Sequence, residues 1–222
     1  MSKYIISFLV VISAIGLAIM AAFGISALIN RSNTSLANGF WGSGMMGGGM
    51  MGYINQSIGG NRLTIDEATS KANDYVASIN SNLSVAEVMS FQRNFYISVK
   101  EIDSGRAAFE LLMDPVTGNL GSEPGPNMMW NQKYGHMSFL RRKSGENPIS
   151  LETARQFAQN ALDSKIPGAI VEPDGFNFYG YYTFDYKVNG VIAGMLSING
   201  SNGQDWFHTW HGNFIEEKEV NK

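Results

Sequence analysis

Two histidines near the C-terminal part of the sequence have a spacing that suits metal binding. His208 and His211 form an H-x-x-H pattern, which presents two imidazoles to one ion when the segment is a turn or a helix. Successive side chains of an extended strand point to opposite faces, so a strand would separate the two rings. Trp206 and Trp210 lie beside them. We therefore expect a terminal strand with aromatic packing, and a metal site there is the alternative.

Paired methionines are a second set of potential ligands. Thioether sulfur is a soft donor suited to Cu(I), and a glycine-rich segment carries two Met-Met pairs. The candidate copper ligands are Met45, Met46, Met50, Met51, Met128, Met129, His136, Met137, His208 and His211. Exposed methionines also adapt to lipid headgroups and to protein partners. A tether without metal is the interpretation we favour, and copper is the only cofactor we keep as an alternative.

Several classes of chemistry are excluded by composition. The 222 residues include no cysteine, which excludes disulfides, thiol nucleophiles and iron–sulfur clusters. There is no G-x-S-x-G motif, and the glycine-rich segment lacks the lysine of a phosphate-binding loop. With 16 basic and 19 acidic residues, the chain also lacks the basic surface that nucleic-acid binding needs. We expect neither a catalytic site nor a nucleic-acid partner.

Aromatic side chains are unusually frequent in predicted loops and beside one predicted hairpin. The segment 123–147 carries Trp, Tyr, Met and His where loops normally carry small polar residues, which indicates that it docks on something. Three alternatives explain this composition. The segment docks on the second half of this chain, forms a surface for a protein or peptide partner, or holds copper through its Met and His side chains. The candidate partner-binding residues are Trp130, Tyr134, Tyr179, Tyr181, Trp206 and Trp210.

An internal repeat predicts the elements that position these residues. Residues 63–68 align with 149–154, 86 positions later, and in both copies apolar residues follow at helical spacing. Thr64 with Glu67 forms a capping-box pattern, and Ser150 is the equivalent N-cap. Strand-like runs follow each helix; they are Val85–Phe91, Phe95–Glu101, Ala107–Met113, Tyr181–Val188 and Val191–Ile198. Asn189-Gly190 predicts a tight hairpin.

The first copy carries a resemblance to a known family. Ile65-Asp66-Glu67-Ala68 opens the helix, Leu111-Leu112-Met113-Asp114 ends an alternating strand, and Thr117-Gly118 completes a D-x-x-T-G turn. This order resembles the PepSY domain, and residues 148–212 depart from it by placing Asn199 and Asn202 at the Asp and Thr positions. The resemblance implies an extracytoplasmic α+β module that binds or restrains a peptidase or another partner and has no catalytic residues.

The N-terminal segment predicts a membrane anchor. Residues 4–29 contain no charged side chain and are long enough to cross a bilayer. We expect a single-pass signal anchor with the soluble region outside the cytoplasm, and a cleaved signal peptide is the alternative. The predicted organisation is an anchor (1–31), a Gly/Met-rich flexible tether (32–61), a first PepSY-like unit (62–122), an aromatic and Met-rich loop (123–147) and a second unit (148–222).

The fold class predicted from these patterns is α+β, with two helix-plus-antiparallel-sheet units behind a transmembrane helix. The function we expect is that of a membrane-anchored binding or regulatory module, which restrains a peptidase or serves a membrane complex as an accessory subunit. Copper(I) handling through Met and His donors is the alternative.

Overall fold

The computed structural model describes residues 60–138 and 146–220, which form three helices and nine strands. The first helix and its strands are α1 (Ile65–Ile79), β1 (Leu83–Phe91), β2 (Phe95–Glu101), β3 (Ala107–Met113) and β4 (Leu120–Ser122). A short helix, α2 (Pro126–Met129), lies between the two halves. The second half contains α3 (Leu151–Lys165), β5 (Ala169–Phe178), β6 (Tyr181–Val188), β7 (Val191–Asn199), β8 (Asp205–Phe207) and β9 (Phe214–Glu219).

The two long helices begin where the sequence predicts. In α1 the Thr64 hydroxyl accepts a hydrogen bond from the Glu67 N–H, and the Glu67 carboxylate accepts one from the Thr64 N–H, so the capping box is confirmed. The Ser150 hydroxyl caps α3 by accepting a hydrogen bond from the Thr153 N–H, without a reciprocal bond. Both helices contain 15 residues. Three buried positions of each helix keep the 86-residue spacing; they are Ala68, Ala72 and Val76 in α1 and Ala154, Ala158 and Leu162 in α3.

Two antiparallel sheets pack between the helices. One sheet has the order β4-β3-β2-β1-β9 and the other β5-β6-β7-β8. Helix α1 packs on β1, and α3 packs on β5 and β7. In β6 the aromatic rings of Tyr182 and Phe184 pack under α3, whereas the Thr183 hydroxyl reaches Glu110 of the first sheet. The layers therefore run helix, sheet, sheet, helix, and the prediction of an α+β fold with antiparallel sheets is confirmed.

Strand β9 differs from the predicted boundary of the second unit. We placed residues 148–222 together, but β9 pairs with β1 of the first sheet, where Glu217 lies opposite Met89. Lys218 also forms a 2.5 Å ion pair with Asp66 of α1. The physical reason is that β1 would otherwise be a long unpaired edge of a largely buried strand.

Equivalent turns follow β3 and β7. The Asp114 carboxylate accepts hydrogen bonds from the backbone of Val116 and Thr117, and the Asn199 side-chain oxygen accepts them from Ser201 and Asn202. Each turn closes on a glycine, Gly118 or Gly203, with a φ of +75° that disfavours any side chain. An amide oxygen therefore replaces a carboxylate in the second turn without changing its geometry.

None of the helices within residues 60–138 and 146–220 is long and apolar enough to span a membrane. The predicted anchor and most of the predicted tether, including Met45, Met46, Met50 and Met51, lie outside the described residues.

Candidate functional site

The space between the two sheets is polar at its centre. Alternation along the strands places Glu110 of β3, Thr183 of β6 and Ser197 of β7 on the facing surfaces, and all three are buried. Glu110 accepts hydrogen bonds from the hydroxyls of Tyr96, Thr183 and Tyr181 at 2.7 to 2.8 Å. Burial, and secondarily the charge of Glu123, raises the pKa of Glu110 to about 8, so its carboxyl group is mostly protonated at neutral pH.

Glu123, His208 and His211 form a second buried group next to this network. Nδ1 of His208 and Nε2 of His211 each lie 3.1 Å from the same oxygen, Oε1 of Glu123. The Trp210 indole N–H donates to that oxygen as well, also at 3.1 Å. One ligand atom from each member of the group lies within 4.8 Å of the others, so the three side chains have the spacing of a metal site.

The protonation states of this group follow from burial and charge. Burial opposes ionisation of Glu123, but the two imidazoles outweigh it and lower the pKa of Glu123 to about 2. For His208, burial alone would lower the pKa, and the Glu123 carboxylate raises it overall. Burial dominates at His211 and lowers its pKa. The Glu123 carboxylate thus favours the charged form of His208, and burial favours the neutral form of His211.

The two histidines come together because the preceding strand is short. We expected a strand through residues 206–211 that would point the rings in opposite directions, and this prediction is wrong because β8 ends at Phe207. The chain then turns, so both imidazoles face Glu123. Phe91 stacks on the His211 ring at a centroid distance of 4.6 Å, and Trp210 stacks on the His208 ring at 5.0 Å.

Glu123, His208 and Ser197 are also arranged in the order of a hydrolase triad. Nε2 of His208 lies 2.8 Å from the Ser197 hydroxyl, on the side opposite to Glu123. A nucleophilic serine must reach a substrate carbonyl, but Ser197 is 0% exposed and its hydroxyl pairs with Thr183 at 2.8 Å. The geometry therefore gives a hydrogen-bond chain in the protein interior, with the Ser197 hydroxyl buried among the described residues.

A third group of polar residues borders an acidic cleft between the sheets. The cleft has a volume of about 380 Å³, and its acidic wall includes Glu87 of β1, Asp185 of β6 and Glu217 of β9. Ligand atoms of these three carboxylates lie within 4.8 Å of one another. Burial, with repulsion between the acids, raises the pKa of Glu87 to about 8 and that of Asp185 to about 7. The trio is another arrangement able to hold a cation.

Irregular strand pairing shapes the rim of the acidic cleft. The register of β1 shifts between Val85 and Glu87, and that of β5 shifts between Val171 and Gly175. The longer irregularity in β5 places Glu172 at the cleft, where its carboxylate pairs with Lys187 at 2.6 Å. Bulges re-aim side chains and are frequent next to binding sites.

Two of the predicted partner-binding residues are instead part of the core. Tyr181 is fully buried and donates to Glu110, and Trp130 is 6% exposed and packs against Phe178. A partner surface formed by these two side chains is therefore a wrong prediction. Both rings are large enough to fill the space between the loop 123–138 and β6, which explains their burial.

The other four predicted partner-binding residues are half-buried. Tyr134 and Tyr179 donate hydrogen bonds to the two oxygens of Glu101, at 2.7 and 2.9 Å. Trp206 and Trp210 both lie against Gly125, where an added β-carbon would come within 3.0 Å of Trp206 and 3.4 Å of Trp210. The aromatic loop is thus docked on the second half of the chain, and a role in partner binding for these four residues stays a prediction.

The predicted copper ligands in this loop lie on the surface. Met129, His136 and Met137 are exposed and Met128 is half-buried. The Met137 N–H donates to the Met128 carbonyl at 3.4 Å, so the backbones of these two residues are adjacent. None of the described contacts joins the methionines to His208 or His211.

Sequence reasoning missed the acidic members of both groups. Glu123 was assigned to the boundary of a loop, and Glu87 and Asp185 were not singled out. A signal was present in β6, where aromatic residues alternate with Thr183, Asp185 and Lys187. Such alternation marks a strand with one apolar and one polar face. It does not show that the polar face meets a second sheet.

Comparisons with known proteins leave the family open. No protein-family model matches the chain, and no curated protein matches it. Among solved structures, the Bacillus megaterium YpeB C-terminal domain is similar with 12% sequence identity and a TM-score of 0.25, over 66% of this chain and 62% of that chain. The chain thus spans less than two thirds of that domain. The fold is α+β with two antiparallel sheets, and its likeness to PepSY domains stays a resemblance.

Proposed function

We propose that this protein is a non-catalytic binding module whose acidic cleft receives a basic segment of a protein partner. The supporting observation is a pair of buried carboxylate oxygens, Oε2 of Glu87 and Oδ1 of Asp185. Neither has a hydrogen-bond partner among residues 60–138 and 146–220, and both side chains line the cleft. A buried polar atom without a partner costs about 1–3 kcal/mol. A lysine or arginine head group supplies the missing donors, and its positive charge favours ionisation of these two carboxyl groups.

The walls of the cleft suit a long basic side chain better than a small ion. Phe176, Ile192 and Met195 provide apolar surface beside the acids. Lysine and arginine pack their methylene stems on such surface while the charged head reaches a polar site. A volume of about 380 Å³ also accommodates more than one hydrated ion needs. The combination favours a peptide segment as the ligand.

The biological setting of this module is part of the proposal. With the predicted anchor at residues 4–29, the module works outside the cytoplasm beside the membrane. There it restrains a peptidase or serves as an accessory subunit of a membrane complex. Burial of Ser197 beside His208 supports a role without catalysis.

Selection of peptides on the purified full chain tests the proposal. A displayed random heptapeptide library is selected against the wild-type protein and against a Glu87→Gln/Asp185→Asn variant. The matched control is Glu216→Gln, because Glu216 is an exposed acid on β9 next to Glu217 and does not line the cleft. We expect lysine or arginine to be enriched on the wild type and on the control, and enrichment to be lost on the double variant.

Two outcomes contradict the proposal. Equal enrichment of basic residues on the double variant would show that peptides bind elsewhere through general charge attraction. Calcium binding at Glu87, Asp185 and Glu217 without any basic enrichment would show that the cleft holds an ion and not a peptide. Isothermal titration with CaCl₂ on the same proteins measures the second outcome.

A further inference from the structure

The loop between β8 and β9 leaves an imidazole nitrogen without a partner in the interior. Asn94 holds the His211 ring, since its side-chain oxygen lies 2.9 Å from Nδ1. The Asn94 amide group donates to the Trp210 carbonyl at 3.5 Å, which fixes the direction of the amide. Nδ1 of His211 therefore carries the hydrogen, and Nε2 faces Glu123.

The contact between His211 and Glu123 is close but does not form a hydrogen bond. Nε2 of His211 is 3.1 Å from Oε1 of Glu123, yet its direction leaves it without a hydrogen-bond partner within the described part of the chain. Oε2 of Glu123 likewise has no partner there. The side chains of Glu123 and His208 are 0% exposed and that of His211 is 2% exposed. Two electron-pair donors thus face each other where water has little access.

A metal ion resolves this arrangement. Ligands of a tetrahedral zinc ion at 2.0–2.2 Å are separated from one another by roughly 3.3–3.6 Å. The two 3.1 Å nitrogen–oxygen distances need to lengthen by only a few tenths of an ångström to reach that value. We propose that Glu123, His208 and His211 bind one divalent transition-metal ion, with zinc as the best match to two imidazoles and one carboxylate.

Outer hydrogen bonds of the ligands support this proposal. Metal-binding histidines usually engage their second ring nitrogen with an oxygen that fixes the ring. Nδ1 of His211 has Asn94, and Nε2 of His208 has the Ser197 hydroxyl at 2.8 Å. The Trp210 indole holds the Glu123 carboxylate. Each of the three ligands is therefore oriented by a residue that does not itself bind the ion.

The donor set separates this site from a copper-transport site. It contains no sulfur, whereas Cu(I) prefers thioether and thiolate ligands. The rings of Phe91 and Trp210 stack on the two imidazoles, and the side chains of all three ligands are at most 2% exposed. We infer a structural role, because the ion connects the segment after β4 to the loop that leads into β9, and the unpartnered Oε2 of Glu123 is available as the fourth ligand atom. This inference does not depend on the acidic cleft or on the proposed peptide ligand.

Metal titration of the full chain tests the site. The protein, prepared without a histidine tag and treated with a chelator, is titrated with ZnCl₂ against a chromophoric zinc indicator. We expect one zinc per chain, at least a 100-fold loss of affinity in His211→Gln, and a 10- to 100-fold loss in Asn94→Ala. His136→Gln is the matched control, since this exposed histidine lies outside the group. We expect the zinc affinity of this variant to equal that of the wild type.

Cobalt provides a readout that does not rely on variant stability. Co²⁺ in a tetrahedral site of nitrogen and oxygen ligands gives intense visible absorption bands, which we expect for the wild type and for His136→Gln. Absence of stoichiometric zinc uptake by the wild type overturns the proposal. So does an unchanged affinity in folded His211→Gln; if that variant does not fold, absence of the cobalt bands in the wild type decides against the site.

Discussion

Tyr179 donates a 2.9 Å hydrogen bond to Glu101, and this contact joins the turn between β5 and β6 to the end of β2. The other carboxylate oxygen of Glu101 accepts hydrogen bonds from Tyr134 and from Lys133, at 2.7 and 2.5 Å. Glu101 therefore connects three separate parts of the chain. It is the point at which the aromatic loop, the first sheet and the second sheet meet.

Replacing Glu101 tests the contribution of these contacts. Burial alone would raise the pKa of Glu101, but its donors, with Lys133 the strongest, lower it to about 2. The stabilisation is therefore present above the unfolded value near 4.5 and is lost as the pH falls toward 2. We expect Glu101→Gln to lower the free energy of unfolding at pH 7 by about 1–2 kcal/mol, a value reduced for the partial exposure of Lys133.

Denaturant unfolding at several pH values measures this effect. The difference between wild type and Glu101→Gln should shrink as the pH falls from 4.5 to 2. A difference that stays constant over this range would mean that the ionised carboxylate is not what stabilises the junction.

The acidic cleft predicts the opposite dependence on pH. An unfolded glutamate loses its proton near 4.5, whereas Glu87 in the folded protein keeps it until about pH 8. The folded state binds more protons in this window, so stability falls as the pH rises through it. Glu87→Gln should therefore be about 1–3 kcal/mol more stable than the wild type at pH 8.5, and similar to it near pH 4.

Thermal unfolding between pH 4 and 8.5 provides the measurement. The control is Glu216→Gln, whose stability relative to the wild type should not change with pH. The charged groups that face Glu87 from the elements around the cleft are Lys100, Glu172, Asp185, Lys187, Glu217 and Glu219. A wild-type protein whose stability rises steadily to pH 8.5 would contradict the prediction.

Gly180 is a position where a single methyl group should disrupt the docked loop. Its φ is +105°, and an added β-carbon would collide with the Trp130 carbonyl oxygen. We expect Gly180→Ala to cost about 2–4 kcal/mol, from backbone strain and from the displaced loop. Gly168 has a φ of +85° with open space around it, so Gly168→Ala should cost only about 1–2 kcal/mol.

Chemical denaturation of the two alanine variants separates the cost of backbone strain, which both share, from the cost of the collision with Trp130, which only Gly180→Ala has. Equal losses of stability would show that the Trp130 contact does not restrain the loop. Tryptophan fluorescence should also shift to longer wavelength in Gly180→Ala, because Trp130 becomes more exposed.

The equivalence of the turns after β3 and β7 leads to a prediction about Asp114. Since Asn199 forms the equivalent turn with an amide oxygen, Asp114→Asn should change the free energy of unfolding by less than about 0.5 kcal/mol. Asp114→Ala removes the acceptor of three hydrogen bonds and should cost about 1–2 kcal/mol. Urea unfolding compares the two, and a larger loss in Asp114→Asn than in Asp114→Ala would contradict the equivalence of the turns.

Local features of this fold could be predicted from the sequence because short-range chemistry decides them. The Thr64 and Ser150 caps act on residues three positions away. The Asn189-Gly190 hairpin is confirmed, with positive φ at both residues, since few residues other than asparagine and glycine adopt that conformation. The hydrophobic pattern gave the bounds of β2, β3 and β6, whereas β5 was not predicted.

Contacts between distant segments could not be predicted in this way. Glu123 reaches His208 only because two sheets pack face to face, and no local pattern specifies that packing. The end of β8 at Phe207 reverses the expected direction of His211, because the chain turns before residue 211 and does not continue as a strand. Both errors concern the candidate site, where buried polar groups replace the apolar contacts that pattern analysis detects.

The pairing of β9 with β1 has a consequence for biosynthesis. During synthesis the first sheet emerges with β1 as an unpaired edge, and β9 is made after every other described element. Until then the exposed edge is a site where nascent chains associate with one another. We expect the N-terminal half to aggregate when it is expressed alone, and a peptide spanning residues 213–220 to rescue it in trans.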